Sequence, residues 1–514
     1  MDHRLVRVVA AGPPSPTVDK DPTVTDTLEQ TDVIVVGAGN AAFSAALAAR
    51  DRGRSVVMLE SAERGSAGGN SFFTAGATRI VHSGLESLVD WIEPDERHAR
   101  SEVPPYTYED YTGDLARVTE GRGDTEMAHI LATEATDALK WLHTAHGMRY
   151  RLMYERQAYE NPDGSFLFWG GLHVGNVDGG EGLFADYVRA AADAGVEVRY
   201  SSRVTDLVLE DGRVAGVTYV DDDGEKVLRA ESVVLASGGF EANPRMRETY
   251  LGQGWANAKL RGSPENTGDL LERAIAHGAG RAGDWSSCHS VAWDAWLEDN
   301  ESNRELTNRL TRQSYPLGIV VNVDGERFVD EGADFRNYTY AKYGKEILKQ
   351  PGSVAFQIFD ATTRPMLRPQ EYEMPGVSEV VADSVGELAT KAGIDVEAFV
   401  RTVTEFNDSI DPSIEVDPNI KDGRRADVMP PKSNWAFPIE TAPFYAYPVT
   451  CGITFTFGGL KGDLEGRVLR EDGSVIDGLY ACGEALGGLF SGNYPGGSGL
   501  AAGAVWGRRA GSLA

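Results

Sequence analysis

Three small residues in the spacing Gly37-x-Gly39-x-x-Ala42 offer the first chemistry legible in this chain, a main chain able to close on a pyrophosphate. Gly37 permits a tight turn, Gly39 removes a side chain where phosphates approach the backbone, and Ala42 lets the following helix pack closely. Asn40 and Ala41 stand at the start of that helix, where free N–H groups and the positive end of the dipole favour an anion. Glu60, followed by Ser61, lies about 20 residues past the glycines, where a carboxylate accepts ribose hydroxyls. An acid rather than a basic residue there points to an unphosphorylated ribose, as in FAD or NAD.

The elements that must position these groups are a buried strand over 33–36, a helix, and a second strand over 56–59 that ends at Glu60. Gly68, Gly69, Asn70 and Ser71, then Thr74, Ala75 and Gly76, suit a loop wrapped on a phosphorylated ligand, with an ordinary surface turn as the competing reading. Residues 105–150 carry apolar positions at helical spacing. Gly179 to Gly182 introduce a helix over 183–194, and strands are expected at 196–200, 204–209, 214–220 and 231–235, with Asp211-Gly212-Arg213 as a hairpin turn. The last strand runs into Ala236, Ser237 and Gly238. Asn266-Thr267-Gly268-Asp269 opens a further helix, which Asn266 or Thr267 would cap.

From 286 to 440 Trp and Tyr increase, the spacing becomes irregular and prolines cluster, so this stretch reads as an inserted lid with Trp285, Trp293, Trp296 and Trp435 as its aromatic face. Glycine density then returns to 511. The expected organisation is a loose tail (1–30), a nucleotide domain in two parts (31–285 and 441–514) and a capping domain (286–440).

The 514 residues carry a formal net charge of −29, which disfavours nucleic acid and anionic membranes as partners. Cys288, Cys451 and Cys482 are odd in number and scattered, so neither a disulfide framework nor a cluster or haem site is encoded, and a reducing cytoplasm is expected. No stretch approaches the ~18 apolar residues of a membrane span.

Together these segments resemble the fumarate reductase and succinate dehydrogenase flavoprotein superfamily, which includes the ketosteroid Δ1-dehydrogenases. The marks are the glycine fingerprint with Glu60, GGNS at 68–71, ASGGF at 236–240, NTGD at 266–269, NVDGERFVDE at 322–331 and GLYACGE at 478–484, spread over 31–514. CGITFTFGGL at 451–460, DEGADFRNYTYAKYG at 330–344 and NYPGGSGLAAGAVWGRRAG at 493–511 look most like FAD-dependent tricarballylate dehydrogenases. The resemblance implies an α/β fold, with a discontinuous Rossmann-like FAD-binding domain and an inserted α+β capping domain.

It also implies that Gly37, Gly39 and Ala42 face the pyrophosphate, Glu60 the ribose, and Gly69, Asn70, Ser71 and Thr74 to Gly76 the phosphates and flavin. Val204 would lie near the adenine, Asp269 near the nucleotide, Gly483 and Glu484 at the ribityl chain, and Gly497, Ser498 and Leu500 beside the isoalloxazine. Phe72-Phe73 stands where membrane-bound members carry a flavin-linked histidine, so FAD is expected to be non-covalent.

At the substrate, Arg336 corresponds to the arginine that moves a proton to or from carbon, and His289 to a carboxylate-binding histidine. Phe455 and Tyr494 replace a second histidine and a second arginine, and Gln313-Ser314-Tyr315-Pro316 lacks the family's Thr-Glu-x-x-Arg relay. Fumarate and succinate are therefore disfavoured. Tyr338 or Tyr340 would share the proton work. The expected reaction desaturates a CH–CH bond beside a carboxylate, with a separate electron acceptor: a carrier protein, a quinone or oxygen. Desaturation of a cyclic ketone is the alternative, with Tyr494 polarising the carbonyl, and a non-enzymatic flavin-binding subunit is a third reading.

Overall fold

The computed structural model describes residues 29–417 and 420–514, so most of the tail expected at 1–30 lies outside the described residues. The strand Gln30–Val36 forms because Val33, Ile34, Val35 and Val36 bury both faces, as a central parallel strand requires. It pairs in parallel with Val56–Leu59 on one side and with Gly224–Leu235 on the other. Glu197–Arg199 extends one edge, and the antiparallel strands Arg203–Glu210 and Arg213–Asp221 extend the other. Val475–Ala481 returns late in the chain to pair in parallel with Gly224–Leu235. The carboxyl ends of the parallel strands, at Val36, Leu59, Leu235 and Ala481, thus converge from distant segments, the position at which open α/β sheets hold ligands.

A second sheet is organised on the 17-residue strand Phe444–Leu460. It pairs antiparallel with Arg281–Asp294 (Arg281 opposite Leu460, Asp294 opposite Val449) and with Ala355–Phe359, which in turn pairs with Ile319–Asn322. Its first residues, Phe444 and Ala446, belong to a separate apolar core with Phe356, Leu388, Phe399 and Phe406. The expected boundary at 285/286 falls inside the strand Arg281–Asp294, so that strand of the second sheet runs across it without a break.

The first helix, Asn40–Asp51, packs along the last, Ser498–Leu513. Gly503, Gly507 and Gly511 recur every fourth residue and face it: a Cβ at Gly507 would stand 2.5 Å from the carbonyl oxygen of Ala41, and one at Gly511 would stand 2.0 Å from that of Ala45. Nothing larger than hydrogen fits between the two backbones. Gly507→Ala is expected to lower unfolding stability by about 1–3 kcal/mol through overpacking. Gly113→Ala, in a helix with nothing within 4 Å of its Cβ, should be neutral or stabilising by up to about 1 kcal/mol. Denaturant midpoints of the two variants check the contrast.

Candidate active site

An elongated cavity of about 290 Å³ runs from Glu60, at the end of the second strand, to Arg336 and Tyr494 at the edge of the cap. Three helices begin against it with glycine at the N-cap and no side-chain cap: Asn40–Asp51 after Gly39, Asp269–Ala276 after Gly268, and Ser498–Leu513 after Gly497. Their first-turn N–H groups are the donors that a phosphate or a polar ring accepts. Gly37 has φ of +109°, and a Cβ there would stand 2.6 Å from the Ala236 carbonyl oxygen, so only glycine lets the two strand ends approach. Glu60 is 5% exposed; its Oε1 accepts the Ala62 N–H at 2.9 Å, and burial raises its carboxyl above the ordinary value.

Most of the expected cofactor residues lie on this wall: Gly37, Gly39, Asn40, Ala41, Glu60, Ser61, Gly69, Asn70, Ser71, Thr74, Ala75, Val204, Ala236, Ser237, Gly238, Asn266, Asp269, Gly483, Glu484, Gly497 and Leu500. Several side chains are committed elsewhere. Asn40 donates to the Leu500 carbonyl (2.9 Å) and accepts from the Tyr187 hydroxyl (2.8 Å). Asn70 donates to Glu241 and to the Thr454 carbonyl (both 2.6 Å) and accepts the Ser263 N–H (2.8 Å), so it ties three segments together and offers only its backbone to a ligand. Ser71 Oγ accepts the Asn40 N–H at 2.9 Å and keeps its own proton to donate.

Four expected positions do not line the cavity. Ala42 is buried in the helix–sheet core, Gly68 packs against Phe184, and Gly76 lies against the backbone of Gly179. Ser498 is buried with its Oγ accepting the Tyr111 hydroxyl at 3.1 Å. Neither Asn266 nor Thr267 caps the helix at Asp269: Gly268 takes the left-handed cap, Asn266 donates to Glu241, and Thr267 donates to Asp269.

At the far end the helix Arg336–Leu348 places Arg336 at its first position, facing the cavity. Arg336 donates to Gln313 Oε1 (2.9 Å) and to the Arg156 carbonyl (3.1 Å). Burial and the neighbouring charges of Arg368 and Arg156 bring its guanidinium down to about 9. The turn before it is anchored by the buried ion pair of Arg327 with Glu331, 2.5 Å apart. Tyr340, one helical turn past Arg336, also faces the cavity, and its hydroxyl lies 2.6 Å from that of Tyr494. Tyr338 points away: its hydroxyl donates to Asp114 (2.7 Å), and it does not line the cavity.

His289 is buried between Phe455, Tyr340 and Tyr494 with both ring nitrogens unpartnered, and desolvation holds it neutral, well below its usual value. One of those nitrogens carries a proton with no acceptor in the protein. Arg156 and Arg261, absent from the sequence expectations, line the same end. Arg261 donates only to neutral groups, Thr454 Oγ1 (2.8 Å) and Asn308 Oδ1 (2.6 Å), and its Nε has no partner. Arg156 and Arg368 share one buried carboxylate, Glu371, which also accepts the Gln313 N–H at 2.9 Å. The expected aromatic lid does not form the wall: Trp293 is buried in the cap, Trp296 is 48% exposed, Trp285 stacks on Phe240 and Trp435 packs on Phe335. Phe455, Phe457, Phe490, Tyr340 and Tyr494 take that place.

A parallel sheet whose strand ends, glycine turns and helix starts all face one long cavity, with a buried carboxylate at the end of its second strand, has the architecture of a dinucleotide-binding protein. Residues 32–500 match the family described as FAD binding domain, and the chain belongs to that family. Its cofactor is FAD, and the uncapped helix starts and buried Glu60 fit that group. The chain is 27% identical to the NADH:acrylate oxidoreductase of Vibrio harveyi over 95% of its own length, spanning about half (51%) of that protein. It is 31% identical to the 3-oxosteroid 1-dehydrogenase of Mycolicibacterium smegmatis over 64% of this chain and 61% of the relative. An open-conformation flavocytochrome c3 fumarate reductase structure superposes with a TM-score of 0.70 at 27% identity, covering 94% of this chain and 78% of the other.

The Phe72 ring packs against Phe184 and lies 3.4 Å beneath the Arg304 guanidinium, so neither Phe72 nor Phe73 offers a nucleophile for a covalent flavin link. Acid precipitation of the purified yellow protein is expected to leave all the flavin in the supernatant as FAD. Flavin absorbance remaining with the washed pellet would contradict this.

Proposed function

We propose that the chain is an FAD-dependent oxidoreductase that desaturates a CH–CH bond next to a carboxylate, with a tricarballylate-like polycarboxylate as substrate. The observation that carries this reading is the charge at the substrate end. Arg156, Arg261 and Arg336 line it, and Arg261 and Arg336 have only neutral hydrogen-bond partners among the described residues. A buried guanidinium without a counter-ion is costly, and an anion brought by the ligand relieves that cost.

Arg261 and Arg156 then bind substrate carboxylates, and the unsatisfied ring proton of His289 gives a further hydrogen bond to a carboxylate oxygen. Bound FAD supplies the hydride acceptor. Arg336, with a value near 9, has a neutral fraction able to take the proton from the carbon next to the carboxylate. Its N–H groups are held by Gln313 and the Arg156 carbonyl, which fixes the guanidinium plane. The paired Tyr340 and Tyr494 hydroxyls stand by the same site. Electrons leave to a separate acceptor, a carrier protein, a quinone or oxygen. A cytoplasmic location fits the three buried, unpaired cysteines, and no described helix is long and apolar enough to cross a membrane.

A second reading rests on the Tyr340–Tyr494 hydroxyl pair and its aromatic wall. These suit a cyclic ketone polarised by Tyr494, and one relative is a 3-oxosteroid 1-dehydrogenase. Anaerobic bleaching of the bound flavin by tricarballylate, succinate and a panel of cyclic ketones separates the two. The first reading expects bleaching by the tricarboxylate, abolished in Arg336→Ala, with KM raised about 10- to 100-fold in Arg261→Ala, the weight of a charge-assisted hydrogen bond. Bleaching by ketones alone, lost in Tyr494→Phe, supports the second.

The pH dependence follows from the same group. The competent base is the unprotonated guanidinium, so kcat/KM should rise with pH and level off above about 9. A profile flat from pH 7 to 10 would remove Arg336 from that role.

A further inference from the structure

Glu241 lies just past the end of the strand Gly224–Leu235 and is fully buried. Its Oε1 accepts two side-chain amides, from Asn70 at 2.6 Å and Asn266 at 2.5 Å. Its Oε2 is buried without a donor. Beside it, against the turn at Gly239, stands Glu484, whose Oε1 accepts the Thr456 N–H at 2.6 Å and hydroxyl at 3.0 Å, and each carboxyl acts on the ionisation of the other. A Cβ at Gly239 would stand 2.1 Å from Glu484 Oε1, so the carboxyl is pressed against the turn that carries Glu241. Glu484 lines the cofactor cavity and Glu241 does not.

Two neighbouring ionised carboxylates, out of water, repel strongly unless a cation or a proton intervenes. Around this pair Asn70, Asn266 and Thr456 are neutral. Of the charged and titratable groups nearby, Arg247 is committed to the carbonyls of Ala256 and Ala258, and the Cys288 thiol is held protonated by burial. We propose that Glu241 and Glu484 hold one proton between them at the FAD site, Glu484 as the acid and Glu241 as the carboxylate that positions it. The two amides on Glu241 Oε1 favour charge on that side, and the otherwise orphaned Oε2 receives the shared proton. Burial and mutual repulsion push both carboxyls upward, Glu484 the further. The pair therefore presents one negative charge to FAD, and Glu484 meets it in the acid form.

Infrared spectra of the FAD-loaded protein at pH 8, with isotope-labelled glutamate to identify the band, test this independently of any substrate. The expected result is a protonated-carboxyl C=O stretch that disappears in Glu241→Gln and also in Glu484→Gln, since either amide supplies the donor and lets the remaining carboxyl ionise. If one variant fails to fold, the other reports on the same proton. No such band in the wild type, or a band unchanged in the folded variants, would overturn the proposal.

Discussion

The contact on which the molecule depends is the glycine-faced crossing of its first and last helices. Gly503, Gly507 and Gly511 bring the backbone of Ser498–Leu513 against Ala41 and Ala45 of the helix that follows the glycine turn. Close packing of this kind leaves no room for a side chain and little for adjustment. It fixes where Gly497 and Leu500 sit relative to Gly37 and Gly39, and the Asn40 side chain locks the register through the Leu500 carbonyl. One helix–helix interface therefore sets the spacing of two glycine turns, at Gly37–Gly39 and at Gly497, that face the same cavity.

Charge is distributed unevenly along the cavity. The chain as a whole is strongly acidic, and the nucleotide end of the wall carries Glu60, Glu265, Asp269 and Glu484 against Arg203, yet the far end gathers Arg156, Arg261 and Arg336 with no carboxylate among the described wall residues. The low polarisability that makes an unmatched carboxyl retain a proton at one end makes an unmatched guanidinium seek an anion at the other. Glu371, behind the wall, offsets the arginines only in part.

The nucleotide half was legible because its signals are local. A run of buried β-branched residues, a glycine turn and an acid at the next strand end lie within thirty residues, and the observed strands and helices follow those patterns closely. At the far end of the cavity, Arg336, His289 and Tyr494 were singled out only through resemblance, and all three line its wall. Arg156 and Arg261 sit in segments with no motif, and only tertiary structure carries them to the cavity. One signal was available: residues four apart on a helix share a face and residues two apart do not, so Tyr340 rather than Tyr338 accompanies Arg336. The misassigned cap at Asn266 has the same origin, since nothing local reveals that Glu241, 25 residues earlier, claims its amide.

The discontinuity of the cofactor cavity has a consequence in time. Asn40 and the Leu500 carbonyl it binds are 460 residues apart, and synthesis proceeds at about 5–20 residues per second. The opening βαβ unit therefore leaves the ribosome tens of seconds before the helix that closes its site. During that interval the apolar face of Asn40–Asp51, destined for the glycine stripe, has no partner, and the nascent chain has one wall of a cavity to offer. A complete flavin cavity consequently waits for the docking of Ser498–Leu513 and is not supplied by the βαβ unit that carries the fingerprint.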